Sequence, residues 1–328
     1  MKRANNLLEP VADLDNLRLA FWKARKGKSY AQEVLAYQKN LDTNLLGLRD
    51  QILTVKVQVG QYRYFKVYDP KERQICASAF GEQVLHHALM NVCHGYFERV
   101  QIGQSFASRP GKGVHAALHL AQQFTRQYRY FLKLDVRKFF DSIHHAVLKT
   151  QLDRMFKDQQ LLLIFGQIID SYCVLPDRGV PIGNLSSQYF ANHYLTGLDH
   201  FIKEQLRIKA YVRYMDDMVL WHNERSVLKE CQQAITNFVE QSLQCALKPM
   251  LMNFTSAGLP FVGHVLRPYD TRLSLRSRRR FVQKIRYIDQ KYHSGEWSEA
   301  HCQRHALPLI AFTEHANAKA FRKQIIFS

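Results

Sequence analysis

The chain is predicted to be an α+β protein, a small sheet with helices packed on one face. Three observations predict this. Tyr130 to Val136 reads as a strand. Ala210-Tyr211-Val212-Arg213 and Met218-Val219-Leu220-Trp221 are short β-rich runs around Tyr214-Met215-Asp216-Asp217, which reads as a tight hairpin with acids at its tip. Helical periodicity surrounds these runs, so the central order is strand, helix, helix, acidic hairpin, helix, strand.

Taken in order, residues 1–60 read as helical and polar, with Leu-rich patches at Leu14 to Leu17 and Leu45 to Leu48. Residues 61–80 read as extended, through Tyr62, Tyr64, Phe65, Val67 and Tyr68, with a turn at Asp69-Pro70. Val114, Ala117, Leu118, Ala121 and Phe124 have helical spacing over residues 114–127. Phe190, Tyr194, Leu198 and Phe201 predict one long amphipathic helix over 186–206, and Val227, Cys231, Ile235 and Phe238 another over 226–243. From Leu275 onward the chain is helical and strongly basic.

The chain has 328 residues, 46% of them hydrophobic, enough for a sizeable core and two or three subdomains. No repeat or low-complexity linker divides it. The formal net charge of +18 favours a polyanionic partner, most simply nucleic acid. No long basic amphipathic helix argues for a membrane surface. The longest apolar run, Leu161 to Phe165, is too short to span a bilayer, and Met1 to Asn6 lacks a signal-peptide core. The six cysteines form no C-x-x-C pair and read as reduced and mostly buried, which fits a cytoplasmic protein.

Adjacent acids repel each other, and a divalent cation gives Asp216 and Asp217 a purpose; the alternative is a solvated acidic turn. Asp135 leaves the otherwise apolar strand Phe131-Leu132-Lys133-Leu134 and would complete a three-carboxylate cluster. Its alternative is an N-cap for the Arg137 to Phe140 segment. Two Mg²⁺ ions held roughly 4 Å apart by such a cluster stabilise both the attacking and the leaving oxygen of an in-line phosphoryl transfer. Mg²⁺ prefers such hard oxygen ligands, and Mn²⁺ can substitute.

Asp135-Val136-Arg137-Lys138-Phe139-Phe140-Asp141-Ser142-Ile143 resembles motif A of reverse transcriptases, and Tyr214 to Asp217 resembles their motif C. Phe261-Val262-Gly263-His264 resembles the primer grip. Lys71 with Arg73-Gln74-Ile75, and Ser105 through Gly113, resemble segments of the fingers. The motifs follow in order over residues 60–270. The resemblance implies a right-hand polymerase fold of fingers, palm and thumb, with a small antiparallel palm sheet backed by helices. It implies an N-terminal helical extension over 1–60, fingers mainly over 61–130 and 144–195, palm over 131–143 and 196–270, and a basic helical thumb over 271–328.

Roles follow position by position. Asp135 and Asp216 would bind both metals, with Asp217 assisting and the Val136 carbonyl adding an oxygen. Phe140 matches the steric gate that excludes a 2′-hydroxyl; otherwise it is a core aromatic beside Phe139. Lys71 and Arg73 would neutralise triphosphate charge. Arg109 would support the nucleotide pocket or hold its own loop. Arg276, Arg278, Arg279, Arg280, Lys284 and Arg286 would track a template–primer backbone, or form a solvated basic face.

Gly179-Val180-Pro181-Ile182-Gly183-Asn184-Leu185-Ser186-Ser187-Gln188 stands at motif B. Most reverse transcriptases carry Gln-Gly and then Ser-Pro there; Ile182 before Gly183, and Gln188 in place of Pro, resemble the enzymes of diversity-generating retroelements. That implies copying of a template RNA with errors opposite adenine for mutagenic retrohoming, in a bacterium or for its phage, with an accessory variability protein. Ile182 cannot make the polar contact that Gln makes near the sugar, which would loosen discrimination; alternatively it packs beneath the helix. The rivals are retron-type or group II intron-type enzymes of ordinary fidelity, and a non-catalytic RNA-binding relative. Glu82-Gln83 stands where group II relatives show Asp-Arg. Lys248 is either a general acid for pyrophosphate or a surface lysine. His86-His87 and His144-His145 lack metal-ligand spacing and read as structural.

Overall fold

The computed structural model describes residues 3–68 and 72–327. Four helices open the chain: α1 (Leu8–Ala12), α2 (Leu14–Arg25), α3 (Gln32–Lys39) and α4 (Leu41–Leu53). The hairpin β1 (Tyr62–Tyr68) and β2 (Glu72–Ser78) follows, then α5 (Phe80–Val100) and α6 (Val114–Gln127). Next come β3 (Tyr130–Asp135), α7 (Phe139–Ser142), α8 (His145–Met155), α9 (Gln159–Asp170), α10 (Leu185–Tyr194) and α11 (Thr196–His200). The chain continues through β4 (Ala210–Tyr214), β5 (Asp217–His222), α12 (Arg225–Gln241) and β6 (Leu251–Phe254). It ends with β7 (Leu259–Phe261), β8 (His264–Arg267), β9 (Asp270–Leu273), α13 (Leu275–His293), α14 (Glu299–Thr313) and α15 (Lys319–Ile326).

The chain forms two compact units. The first holds residues 1–102, 136–201 and 235–247. Its core joins α5 to the N-terminal helices and to α10. Asp13 caps α2, and the Asp158 carboxylate caps α9 while accepting from the backbone of Leu7 and Leu8. The turn expected at Asp69-Pro70 lies outside the described residues. The sequence order placed two helices between the Tyr130 to Val136 strand and the acidic hairpin, where the structure has α7 to α11.

The single helix expected over 186–206 is interrupted. The α10 helix stops at Tyr194, α11 covers Thr196–His200, and a π-turn spans Phe201–Gln205. Thr196 Oγ1 donates back to the Asn192 carbonyl at 3.2 Å, a contact that bends helices. Tyr194 Oη donates to the Leu243 carbonyl at 2.6 Å, fixing where α10 ends. Apolar spacing persists across such a break, so periodicity could not reveal it.

The second unit holds residues 103–135, 202–234 and 248–328. Its sheet has the order β4-β5-β3-β6, antiparallel throughout. Tyr211, Leu132, Leu134, Met218 and Leu220 on one face are buried. The other face presents Phe131, Val212, Val219 and Trp221 to α6, which supplies Ala117, Leu118 and Ala121. Trp221 Nε1 donates to Thr125 Oγ1 at 3.2 Å, so the buried indole keeps a partner. The second sheet, β7-β8-β9, adds Leu259, Phe261 and Leu266 to the same core. Ser274 caps α13 by accepting from the Ser277 N–H at 3.1 Å. Of the cysteines, Cys76, Cys93, Cys231 and Cys245 are buried, and all six are free thiols.

Candidate active site

The acids meet through sheet register. Asp135, the last residue of β3, stands directly opposite Asp217, the first of β5, and Tyr214 faces Asp217 across the hairpin. Met215 and Asp216 form the two-residue turn, with Met215 in the left-handed region at φ 56°. That conformation costs a side-chain-bearing residue about 1–2 kcal/mol. The buried Arg213 donates from Nη1 to the Met215 carbonyl at 3.2 Å, which holds the turn. Asp135 is not an N-cap: Lys138 occupies that position of α7 at φ 46°, and no side chain caps it.

Like charges opposite each other on neighbouring strands are unfavourable. Two lysines offset this. Lys248 Nζ lies 2.6 Å from Asp135 Oδ1, and its backbone N–H donates to the Asp135 carbonyl at 2.8 Å. Lys133 Nζ lies 2.8 Å from Asp217 Oδ2. Asp216 sits in the turn beside them, and burial together with the Asp135 carboxylate pushes its carboxyl up to about 6. Burial also pushes Asp217 upward, against the opposing pull of Lys133, and Asp217 Oδ1 is buried without a hydrogen-bond partner.

Among the described residues, no three His, Cys, Asp or Glu converge as a ready ligand set. The donor chemistry still fits a hard divalent cation. Asp135 and Asp216 are mutually repelling carboxylates, and the orphaned Asp217 oxygen leaves a further acceptor unfilled.

The second unit also brings the β7–β8 turn to this sheet face. Phe261 is buried in the shared core and pairs with His264. Val262 and Gly263 both have positive φ, 43° and 80°. Ser277 Oγ donates to the Gly263 carbonyl at 2.7 Å, and the His264 ring contacts the Val262 and Phe312 carbonyls at 3.1 and 3.2 Å. Arg109 donates to the Ser105 carbonyl at 2.7 Å, within its own loop. On α13, Arg276, Arg280 and Lys284 recur at four-residue spacing, and Arg279 and Arg286 lie beside them on the same broad face. Arg278 lies on the opposite side of α13, its guanidinium 4.6 Å from the centre of the Phe321 ring, and the Arg280 guanidinium lies 5.5 Å from the centre of the Phe312 ring.

The first unit gathers the other expected residues. Exposed Arg73 lies on β2, whereas Lys71 falls outside the described residues. The Cys76 N–H donates to the Ile182 carbonyl at 2.8 Å, which ties β2 to the Ile182-Gly183 loop. Gly183 has φ 126°, and a Cβ there would lie 2.9 Å from Ile75 Cγ2 and 3.2 Å from the Cys76 carbonyl oxygen. The Val180 N–H donates to the Phe140 carbonyl at 2.9 Å, so the half-buried Phe140 adjoins this loop. Val136 is buried, and Gln188 is half-buried on α10. Ser186 contacts His86 Nδ1 at 3.1 Å, and His86 Nε2 lies 3.3 Å from Glu82, a buried polar chain joining α5 to α10. His86 is thus buried between Glu82 and Ser186.

Lys133 and Arg213 carry roles that motif spacing alone did not assign. Lys133 had a legible signal: it is the one charge inside an apolar strand, two residues before Asp135 and therefore on the same face.

Residues 71–266 match the sequence profile described as "Reverse transcriptase (RNA-dependent DNA polymerase)". The chain is 28% identical over 145 residues to the Group II intron-encoded protein LtrA of Lactococcus lactis subsp. cremoris, covering 42% of this chain and 24% of that protein. It is 24% identical over 183 residues to the Retron Ec73 reverse transcriptase of Escherichia coli, covering 49% and 55% respectively. Apo telomerase from Candida tropicalis, truncated from its C-terminal domain, shares the fold at a TM-score of 0.52 and 13% identity, over 71% of this chain and 60% of that one. Telomerase from Candida albicans, in complex with a fragment of telomeric RNA, gives 0.52 and 12% over 84% and 58%. The chain thus spans about a quarter to three fifths of the length of these proteins. Among the described residues, no helix is long and apolar enough to cross a membrane. With the family profile covering more than half of its length, the chain belongs to the reverse transcriptase (RNA-dependent DNA polymerase) family.

Proposed function

We propose that this protein adds deoxynucleotides to a primer 3′-hydroxyl on an RNA template, releasing pyrophosphate. The observation that carries this is the carboxylate arrangement: Asp135 opposite Asp217, with Asp216 in the turn beside them. Asp135 and Asp216 would hold two Mg²⁺, with Asp217 and the Val136 carbonyl assisting. The ions supply charge neutralisation at the attacking and leaving oxygens. Arg73 and Lys71 offset triphosphate charge, Phe140 closes the space beside the sugar C2′, and the β7–β8 turn seats the primer end. Arg276, Arg279, Arg280, Lys284 and Arg286 follow the backbone of the RNA/cDNA duplex. Fingers over 61–130 and 144–195, palm over 131–143 and 196–270, and thumb over 271–328 are the corresponding lobes.

Within this activity we favour the enzyme of a diversity-generating retroelement, supported by Ile182 in the loop tied to β2 and by Gln188 on α10. An accessory variability protein is then a partner, and the site of action is the bacterial cytoplasm. The relatives of group II intron and retron type favour a second reading, ordinary-fidelity copying.

Primer extension on defined RNA templates with Mg²⁺, followed by product sequencing, tests both. Errors concentrated opposite template adenine support the first reading, and accurate copying supports the second. Ile182→Gln should reduce misincorporation; an unchanged error spectrum removes the proposed role of Ile182. Asp216→Asn should abolish synthesis while RNA binding persists. Synthesis retained by that variant would sink the polymerase reading.

A further inference from the structure

We propose that Lys133 is a positioning residue that fixes the β7–β8 turn relative to Asp217, and so sets where a primer end lies against the acids. The proposal rests on the polymerase reading above.

Strand alternation places Phe131, Lys133 and Asp135 on one face of β3. Lys133 pairs with Val219, which puts Asp217 one diagonal step away on the same face. From there Nζ donates in two directions, to Asp217 Oδ2 at 2.8 Å and to the Pro260 carbonyl at 2.7 Å. Its ammonium also lies 5.9 Å from the centre of the Phe261 ring. One side chain thereby joins a candidate catalytic acid to the strand that leads into the turn.

The geometry of the turn shows why a brace is needed. A β-branched residue at positive φ is an outlier, and Val262 sits at 43°. Such strain persists only where the surroundings over-determine it. On one side α13 and α14 do so, through Ser277 Oγ and the Ser274 N–H on the Gly263 carbonyl and through His264 on the Phe312 carbonyl. On the side of the sheet, the Pro260 carbonyl bonded to Lys133 supplies the counter-hold. Lys133 and Asp217 are 19% and 22% exposed, so the pair is only partly screened by water.

The test compares Lys133→Met and Lys133→Arg with the unaltered chain and with Asp216→Asn. Methionine keeps the stem and removes the donors, whereas arginine keeps charge and can donate to both acceptors. Misplacing a reacting group by an ångström lowers rates by about 100-fold, so Lys133→Met should lower kcat about 10- to 100-fold. The KM for deoxynucleotide should stay within about twofold, because the loss lies in primer placement and not in nucleotide binding. Lys133→Arg should recover most of the rate. A readout independent of turnover is the fluorescence of 2-aminopurine at the primer 3′ end, with EDTA present. Lys133→Met should change it, Lys133→Arg should not, and the duplex Kd should hold in both.

Unchanged kcat and fluorescence in Lys133→Met would overturn the proposal. So would a rise in KM that accounts for the whole loss. If Lys133→Met does not fold, Lys133→Gln, which keeps a neutral donor, is judged by the same two readouts. Failure of the polymerase reading looks different: the unaltered chain makes no product, or Asp216→Asn still does.

Discussion

Gly263→Ala is the sharpest probe of the β7–β8 turn. Gly263 has φ 80°, and a Cβ there would lie 2.8 Å from Phe312 Cζ and 2.9 Å from Ser277 Oγ. Adopting a left-handed conformation costs an L-residue about 1–2 kcal/mol. Forcing a methyl into a filled site costs about 1–3 kcal/mol more. The expected destabilisation is therefore about 2–5 kcal/mol. Relief requires the Phe312 ring or Ser277 to move, and Ser277 Oγ donates to the Gly263 carbonyl at 2.7 Å. The turn should shift with it, and primer extension should fall. Gly295→Ala serves as the internal control, since Gly295 has φ 72° with nothing within 4 Å of a Cβ. It should show the backbone cost alone. Urea unfolding followed by the fluorescence of Trp221, buried in the same unit, reads both variants. A loss in Gly263→Ala no larger than in Gly295→Ala would refute the packing argument.

Three further outcomes are expected. Asp216 has a folded-state value of about 6 against an ordinary 3.8, so its contribution to stability is full below about 4 and lost as pH rises through 6. In EDTA, Asp216→Asn should therefore be more stable than the unaltered chain at pH 7.5, by about 1–3 kcal/mol, with the gain vanishing near pH 4; equal gains at both pH values would contradict this. Glu82→Leu should cost about 1–3 kcal/mol by leaving the Gly60 N–H, which donates to Glu82 Oε2 at 3.0 Å, without its acceptor; thermal melts showing no loss would refute it. Replacing Arg276, Arg279 and Arg286 with Gln should flatten the salt dependence of duplex binding by up to roughly one log-log unit per lost phosphate contact, whereas Arg278→Gln should leave it nearly unchanged because that side chain packs on Phe321. A slope unaltered in the triple variant would return α13 to a merely solvated face.

Much of the site is legible in the chain's local patterning. The short β-rich runs Ala210 to Arg213 and Met218 to Trp221 around two acids specify the hairpin, because a two-residue turn leaves strand pairing little freedom. Asp135 is legible because a lone carboxylate leaving an apolar run is a local signal. The helix break after Tyr194 is not, because Thr196 and Tyr194 act through partners at Asn192 and Leu243, and the second of these is distant in sequence. Nor is the fate of Arg278, whose neighbour Phe321 lies on another helix.

The sequence by itself determined the family, the strand-borne acids and the basic C-terminal helix, since each is written in residue type and short-range spacing. Only the tertiary structure decided register and charge pairing. It set Asp135 against Asp217, gave each a lysine, left Asp216 buried beside a carboxylate, and ran Lys133 from β5 to β7. Those contacts join residues tens to more than a hundred positions apart, and a long-range hydrogen bond leaves no periodic trace in the chain that makes it.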